Sequence, residues 1–207
     1  MGRRNRARPP ARPKPFLDPK PVILVVTEGQ NTEPEYLEQF KVAVRNARVE
    51  LDVHGGRGVP VSIVEYAKLL KKAAEERSRK EEDDNLRYDA VWCVFDVDQH
   101  PRIEDAIESA RHAGIEIALS NPCIELWLLL HFQDQPGAQD RHSARRLLKK
   151  HIPDYNKHIE FRLFRSGYEV AVRRAKRLDE EADADNERGR NPSSGFWRLT
   201  EAIRTGA

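Results

Sequence analysis

Two stretches of the chain are apolar at every position. Residues 22–26 form the first stretch, and residues 90–95 form the second. A strand with one exposed face alternates polar and apolar residues, whereas a strand covered on both faces does not. Each stretch is therefore predicted to be a buried strand of a parallel sheet.

The segments around these runs have other periods. Residues 49–53 alternate with acidic positions, which is typical of a strand at a sheet edge, and residues 115–119 predict a fourth strand. Apolar residues at helical spacing predict helices that start at Pro34 and that cover residues 61–80 and 102–112. Because strand and helix alternate four times, we predict an α/β fold with about four parallel strands and flanking helices.

The second half of the chain has a different pattern, and no strand is predicted beyond Leu119. Helices are expected there at residues 122–132, 143–150, 168–187 and 196–204. The chain therefore divides into a basic, proline-rich flexible arm (1–20), an α/β core (21–133) and a helical extension (134–207).

The charge of the chain is unevenly distributed. The 207 residues carry 36 Lys and Arg against 34 Asp and Glu, which gives a net charge of +2. The arm alone holds seven basic residues against one Asp, so the rest of the chain is mildly acidic. A basic segment rich in proline is extended and can approach a polyanion, although a solvated tail has the same composition.

The composition also excludes several classes of protein. The two cysteines are too few for a disulfide framework, and neither they nor the histidines have the spacing of a zinc site. The glycine-rich segment 55–58 lacks the Lys-Ser/Thr of a P-loop, so no ATP site is expected. No apolar run is long enough to span a membrane, and a cytoplasmic location is expected.

Acidic side chains follow both buried strands. Glu28 comes after the first strand, and Asp96 and Asp98 come after the second. Ligands of open α/β sheets bind at the carboxyl ends of the strands, where these three residues are predicted to lie. Asp96 and Asp98 are two residues apart, so in extended backbone both side chains leave the same face. Such a group of carboxylates suits Mg²⁺ or Mn²⁺, which can activate water in phosphoryl transfer.

Five segments of the chain carry a family resemblance: residues 25–29, 32–37, 91–101, 120–132 and 155–157. Together they resemble the RloB-like family, which is linked to restriction loci and abortive-infection systems and is similar to a variant of the Toprim fold. The most specific piece is the Asn-Pro-Cys-x-Glu-Leu-Trp block that begins at Asn121.

The resemblance implies a Toprim-like parallel sheet with a Toprim-type metal site. In such a site Glu28 is a general acid/base or a metal ligand, and Asp96 and Asp98 are ligands of Mg²⁺. Glu125 is then a fourth acid directed at the metal, although a carboxylate in a first helical turn is also favoured by the helix dipole alone. Lys157 is interpreted as a residue that neutralises the scissile phosphate, with a solvated lysine as the alternative.

Basic residues in two parts of the chain are candidates for binding nucleic acid, whether DNA or RNA, although solvated surfaces have the same appearance. The candidates are Arg3, Arg4, Arg6 and Arg8 in the arm, and Arg145, Arg146, Lys149 and Lys150 on a predicted helix.

The first functional hypothesis is a Mg²⁺-dependent nuclease of the Toprim type in bacterial antiphage, abortive-infection defence. The alternative is a non-catalytic sensor or effector-binding module that works with an ATPase partner. A third hypothesis, a glycosyltransferase whose Asp-x-Asp pair holds a nucleotide-sugar, leaves Glu28 without a role. A homo-oligomer remains open, and no membrane partner is expected.

Overall fold

A central β-sheet covered by helices on both faces forms the fold. The structure, a computed structural model, describes residues 20–45, 48–53, 59–97, 102–135, 137–185, 187 and 189–206. The strands of this described part are β1 (Val22–Thr27), β2 (Arg48–Val53), β3 (Ala90–Asp96), β4 (Glu116–Asn121) and β5 (Ser193–Ser194). Its α-helices are α1 (Thr32–Val44), α2 (Pro60–Glu81), α3 (Ile103–His112), α4 (Ile124–Leu130), α5 (Arg141–His151), α6 (Tyr168–Ala184) and α7 (Phe196–Thr205).

The strand order of the sheet is β2-β1-β3-β4-β5. β1 pairs in parallel with β2 on one side and with β3 on the other, and β3 pairs in parallel with β4. The mixed α/β fold, the mostly parallel sheet and the edge position of β2 are therefore confirmed. All six residues of β1 are buried, which explains why its sequence shows no polar alternation.

The prediction that no strand follows Leu119 was wrong. β5 pairs antiparallel with the end of β4, so the described sheet has five strands instead of about four. The hydroxyl oxygens of Ser120 and Ser194 are 3.2 Å apart across this pair. β5 has only two residues, both serine, and such a strand carries no hydrophobic period from which it could be predicted.

Each face of the sheet has its own hydrophobic core. Leu24 and Val26 pack with α2 and α3 on one face. Ile23 and Val25 pack on the other face with α1, α4, α6 and α7. Strand β1 contributes to both cores because alternate residues of a strand point to opposite faces. Helices α6 and α7 of the predicted extension share one of these cores with β1.

Helix α4 is buried along its whole length, as expected of a short helix that is apolar at every position except Glu125. It starts at Ile124, two residues later than predicted, and Cys123 occupies the cap position. Asn121, considered above as part of a motif, belongs to β4, and its side-chain amide donates to the carbonyl oxygen of Gly189 at 2.9 Å. In the described part of the chain, no helix is both long and apolar enough to cross a bilayer.

Candidate functional site

The carboxyl ends of β1 and β3 lie side by side at the point where the strand order reverses. The chain leaves β1 toward β2 on one side of the sheet and returns to β3 on the other side. Glu28 directly follows β1, and its backbone N–H donates to the carbonyl oxygen of Val94 at 3.0 Å. Asp96 is the last residue of β3. Crevices in α/β proteins form at such a reversal, because the loops diverge there.

A cavity of about 300 Å³ opens at this point. Four carboxylates and three basic side chains line it. The carboxylates are Glu28, Glu33, Asp96 and Glu125, and the basic residues are Arg141, Arg145 and Lys157.

Glu33 lies in the first turn of α1 and is only 7% exposed. Its carboxylate packs on Gly29 so closely that a Cβ at that glycine would be 2.1 Å from Oε2 of Glu33. Burial, together with the nearby charges of Glu125 and Glu28, raises the pKa of Glu33 to about 7. Glu33 therefore exchanges a proton near neutral pH, as a general acid or base must.

Asp96 is held among other acids. Burial raises the pKa of Asp96 well above its usual range, and the charges of Glu33 and Glu125 act in the same direction. Arg141 opposes this shift, since its Nη2 lies 3.7 Å from Oδ2 of Asp96. Repulsion among carboxylates of this kind is relieved by a bound cation or by protons.

Glu125 reaches the cavity from the first turn of α4 and is 4% exposed. Its Oε1 accepts a hydrogen bond from Nε of Arg145 at 3.1 Å and another from the hydroxyl of Tyr155 at 3.2 Å. A buried carboxylate with an arginine and a hydroxyl donor is held in a defined orientation. The interpretation of Glu125 as an acid of the site therefore agrees with its position.

Lys157 lies on the loop that follows α5. Its φ of 77° is in the left-handed region, where residues other than glycine are uncommon. The hydroxyl of Thr32, at the start of α1, donates to the carbonyl oxygen of Lys157 at 2.8 Å. This bond ties the lysine loop to the same helix that carries Glu33.

The structure brings four of the five predicted catalytic residues into one cavity, together with one predicted basic residue of α5. The four are Glu28, Asp96, Glu125 and Lys157, and the basic residue is Arg145. The other basic residues predicted on α5 do not line this cavity: Arg146, Lys149 and Lys150. The remaining predicted site residues lie outside the described part of the chain: Asp98, Arg3, Arg4, Arg6 and Arg8.

Sequence reasoning missed two charged residues of the cavity. Glu33 was given no role, although it stands five residues after Glu28 in a segment of the family resemblance. Arg141 lies four residues before the candidate Arg145, and nothing in its spacing indicated a carboxylate partner. Both positions become informative only when α1 and α5 are seen to line the same cavity.

The donor chemistry of the cavity fits a hard divalent cation, because its acids are carboxylates, which supply the oxygen ligands that such a cation takes. Within the described ranges, no three or more His, Cys, Asp or Glu side chains are arranged to hold a metal ion. Two carboxylates of the cavity instead contact arginines. Metal binding by Glu28, Asp96 and Asp98 therefore stays a prediction.

Comparison with known proteins gives one finding. The model of the RloB-like protein family matches residues 23–203, which include every described side chain of the cavity. No curated protein matches the chain, and no solved structure does so.

Proposed function

This chain belongs to the RloB-like protein family, and we propose that it is a metal-dependent nuclease with a Toprim-like core. The reaction is the hydrolysis of a phosphodiester bond in nucleic acid with Mg²⁺ or Mn²⁺. Its proposed setting is bacterial antiphage, abortive-infection defence alongside an ATPase partner, as the family resemblance implies. The observation that carries the proposal is the cavity that four carboxylates line together with Arg141, Arg145 and Lys157.

The carboxylates of the cavity suit the metal and the attacking water. Glu28 and Asp96, with Asp98, are the residues that would hold Mg²⁺. When bound, the ion would supply Lewis-acid chemistry and lower the pKa of a coordinated water. Glu33, whose pKa is about 7, accepts a proton from the attacking water or returns one to the leaving oxygen.

The three basic residues of the cavity suit the phosphate. Arginine guanidinium groups bind phosphate oxygens through paired N–H donors, and lysine adds a point charge. Both arginines come from α5, and Lys157 comes from the loop that the hydroxyl of Thr32 fastens. Arg146, Lys149 and Lys150 extend the positive charge along α5, so a polyanion meets them on its way to the acids.

The test is a cleavage assay with the purified full chain. Plasmid DNA, single-stranded DNA and folded RNA are incubated with Mg²⁺ or Mn²⁺, alone and with an ATPase partner. We expect cleavage of at least one substrate, and a loss of about a hundredfold or more in Asp96→Asn and Glu33→Gln. Glu38→Gln is the matched control, because Glu38 also lies on α1 but is exposed and paired with Lys41.

Two results would contradict the proposal. One is cleavage that survives in Asp96→Asn, because the activity would then come from another site or another protein. The other is intact substrate under every condition, which would favour the non-catalytic sensor or effector-binding module.

A further inference from the structure

Two arginines of α5 lie one helical turn apart and contact two different acids of the cavity. Arg145 donates from Nε to Glu125 at 3.1 Å, and its Nη2 is also 3.1 Å from the same oxygen. Arg141 places Nη2 at 3.7 Å from Oδ2 of Asp96. Residues four apart on a helix share a face, so α5 presents both guanidinium groups to the cavity together.

The contacts are asymmetric in exposure. The carboxylate side chains are 6% and 17% exposed, whereas the side chains of Arg145 and Arg141 are 36% and 45% exposed. The acids are thus held inside the protein, while the arginines are also accessible to a ligand from solvent. A long arginine side chain can change its contact without moving the helix that carries it.

A divalent cation and these arginines require the same carboxylate oxygens. The guanidinium group of Arg141 contacts Asp96, and that of Arg145 contacts Glu125, so each positive charge lowers the attraction of its acid for a cation.

We propose that Arg141 and Arg145 form a phosphate-binding site that exchanges partners: carboxylates in the free protein, a phosphodiester group in the complex. The entering phosphate takes the guanidinium groups and releases Asp96 and Glu125 toward the cation. This inference rests on the proposed function for the identity of the phosphate, but the exchange itself is a property of binding.

The exchange has a thermodynamic consequence. If phosphate removes the arginines from the carboxylates, phosphate and metal each raise the affinity of the other by the same factor. The free protein then holds metal weakly, and the cation site is completed only when substrate is present. Such coupling makes metal binding, and therefore the hydrolytic activity, depend on the presence of the phosphodiester substrate.

The test measures Mn²⁺ binding through the electron paramagnetic resonance signal of the free ion. Dimethyl phosphate is the probe, because it is a phosphodiester monoanion with weak affinity for Mn²⁺. In the wild-type protein, saturating dimethyl phosphate is expected to raise Mn²⁺ affinity at least about fivefold. Arg141→Gln/Arg145→Gln is expected to bind Mn²⁺ at least about fivefold more tightly without the probe, and to show no further increase with it.

Two further variants make the result specific. Arg141→Gln alone removes the longer and more exposed contact, keeps the Arg145–Glu125 pair, and is expected to show part of both effects. Arg79→Gln removes the same charge from an exposed position on α2, where Arg79 donates to the backbone carbonyl oxygen of Glu75, and should behave like the wild type. Circular dichroism establishes that each variant is folded.

Several outcomes would overturn the inference. One is Mn²⁺ affinity in Arg141→Gln and in the double variant that equals the wild-type value. Another is an effect of dimethyl phosphate that persists in the double variant. Coupling of phosphate and Mn²⁺ binding without cleavage would support the exchange of partners and reject the nuclease. Cleavage without this coupling would support the nuclease and reject the exchange. No Mn²⁺ binding by any form would reject both.

Discussion

At the scale of single residues, the site depends on one close contact. The carboxylate of Glu33 occupies the space that a side chain at position 29 would need, with Oε2 at 2.1 Å from the place of a Cβ. A glycine after Glu28 therefore lets the acid lie against the backbone of the first loop. The same contact keeps Glu33 buried, and burial is the main cause of its raised pKa.

Gly29→Ala should separate activity from stability. The added methyl group forces the Glu33 carboxylate to move, because a side chain yields more easily than backbone. We expect cleavage to fall at least about tenfold while the free energy of unfolding changes by less than about 1 kcal/mol. Urea denaturation and the cleavage assay measure the two quantities.

Glu38→Gln serves as the comparison, since Glu38 is exposed on the same helix as Glu33 and pairs with Lys41. It is expected to keep the cleavage rate of the wild-type protein. Full activity in Gly29→Ala would show that the position of Glu33 does not matter for the reaction.

At the scale of elements, the end of α4 and the start of α6 are in close contact at another glycine. Gly167 precedes α6, and a Cβ there would lie 2.3 Å from the carbonyl oxygen of His131 at the end of α4. Both sides of this contact are backbone, so neither can move without shifting a helix. The buried helix that carries Glu125 is thereby set against the helices of the C-terminal half.

Gly167→Ala should consequently weaken the fold. Overpacking of a site that cannot relax is expected to lower the free energy of unfolding by about 3 kcal/mol, measured by urea denaturation. Ser166→Ala is the matched control, because Ser166 is exposed and its substitution adds no atom. Equal stability of the two variants would mean that the ends of α4 and α6 are not in tight contact.

At the scale of the whole molecule, two buried groups give stability opposite dependences on pH. Nδ1 of His131 donates to the carbonyl oxygen of Trp127 at 2.9 Å, its Nε2 accepts from the hydroxyl of Tyr36 at 3.2 Å, and burial lowers the pKa of His131 to about 4. Its contribution is present above the unfolded pKa of about 6.5 and is lost as the pH falls toward 4. Glu33 has a raised pKa, so its contribution is present below about 4.5 and is lost as the pH rises through 7.

Substitution of each group should reveal its contribution to the pH dependence of the free energy of unfolding. Relative to the wild-type protein, Glu33→Gln is expected to gain stability as the pH rises from about 4.5 to 7, by up to about 3 kcal/mol. Relative to the wild-type protein, His131→Gln is expected to lose stability as the pH rises from about 4 to 6.5, by a similar amount. Urea denaturation across this range measures both differences, and parallel curves for the three proteins would refute the assignment.

The sequence by itself determined the central strands and one pair of acids. Residues 22–26 and 90–95 are apolar throughout because both faces of their strands are covered, and that pattern needs no knowledge of neighbours. Glu28 and Asp96 were expected together because the carboxyl ends of parallel strands share one edge of a sheet.

Only the tertiary structure decided what the acids contact. The pKa of Glu33 depends on burial and on Glu125, which is far away in the chain, and the partners of Asp96 and Glu125 come from α5. β5 likewise exists through its pairing with β4 rather than through any period of its own. Charges and short strands of this kind take their properties from residues that folding brings near, and local sequence patterns do not contain that information.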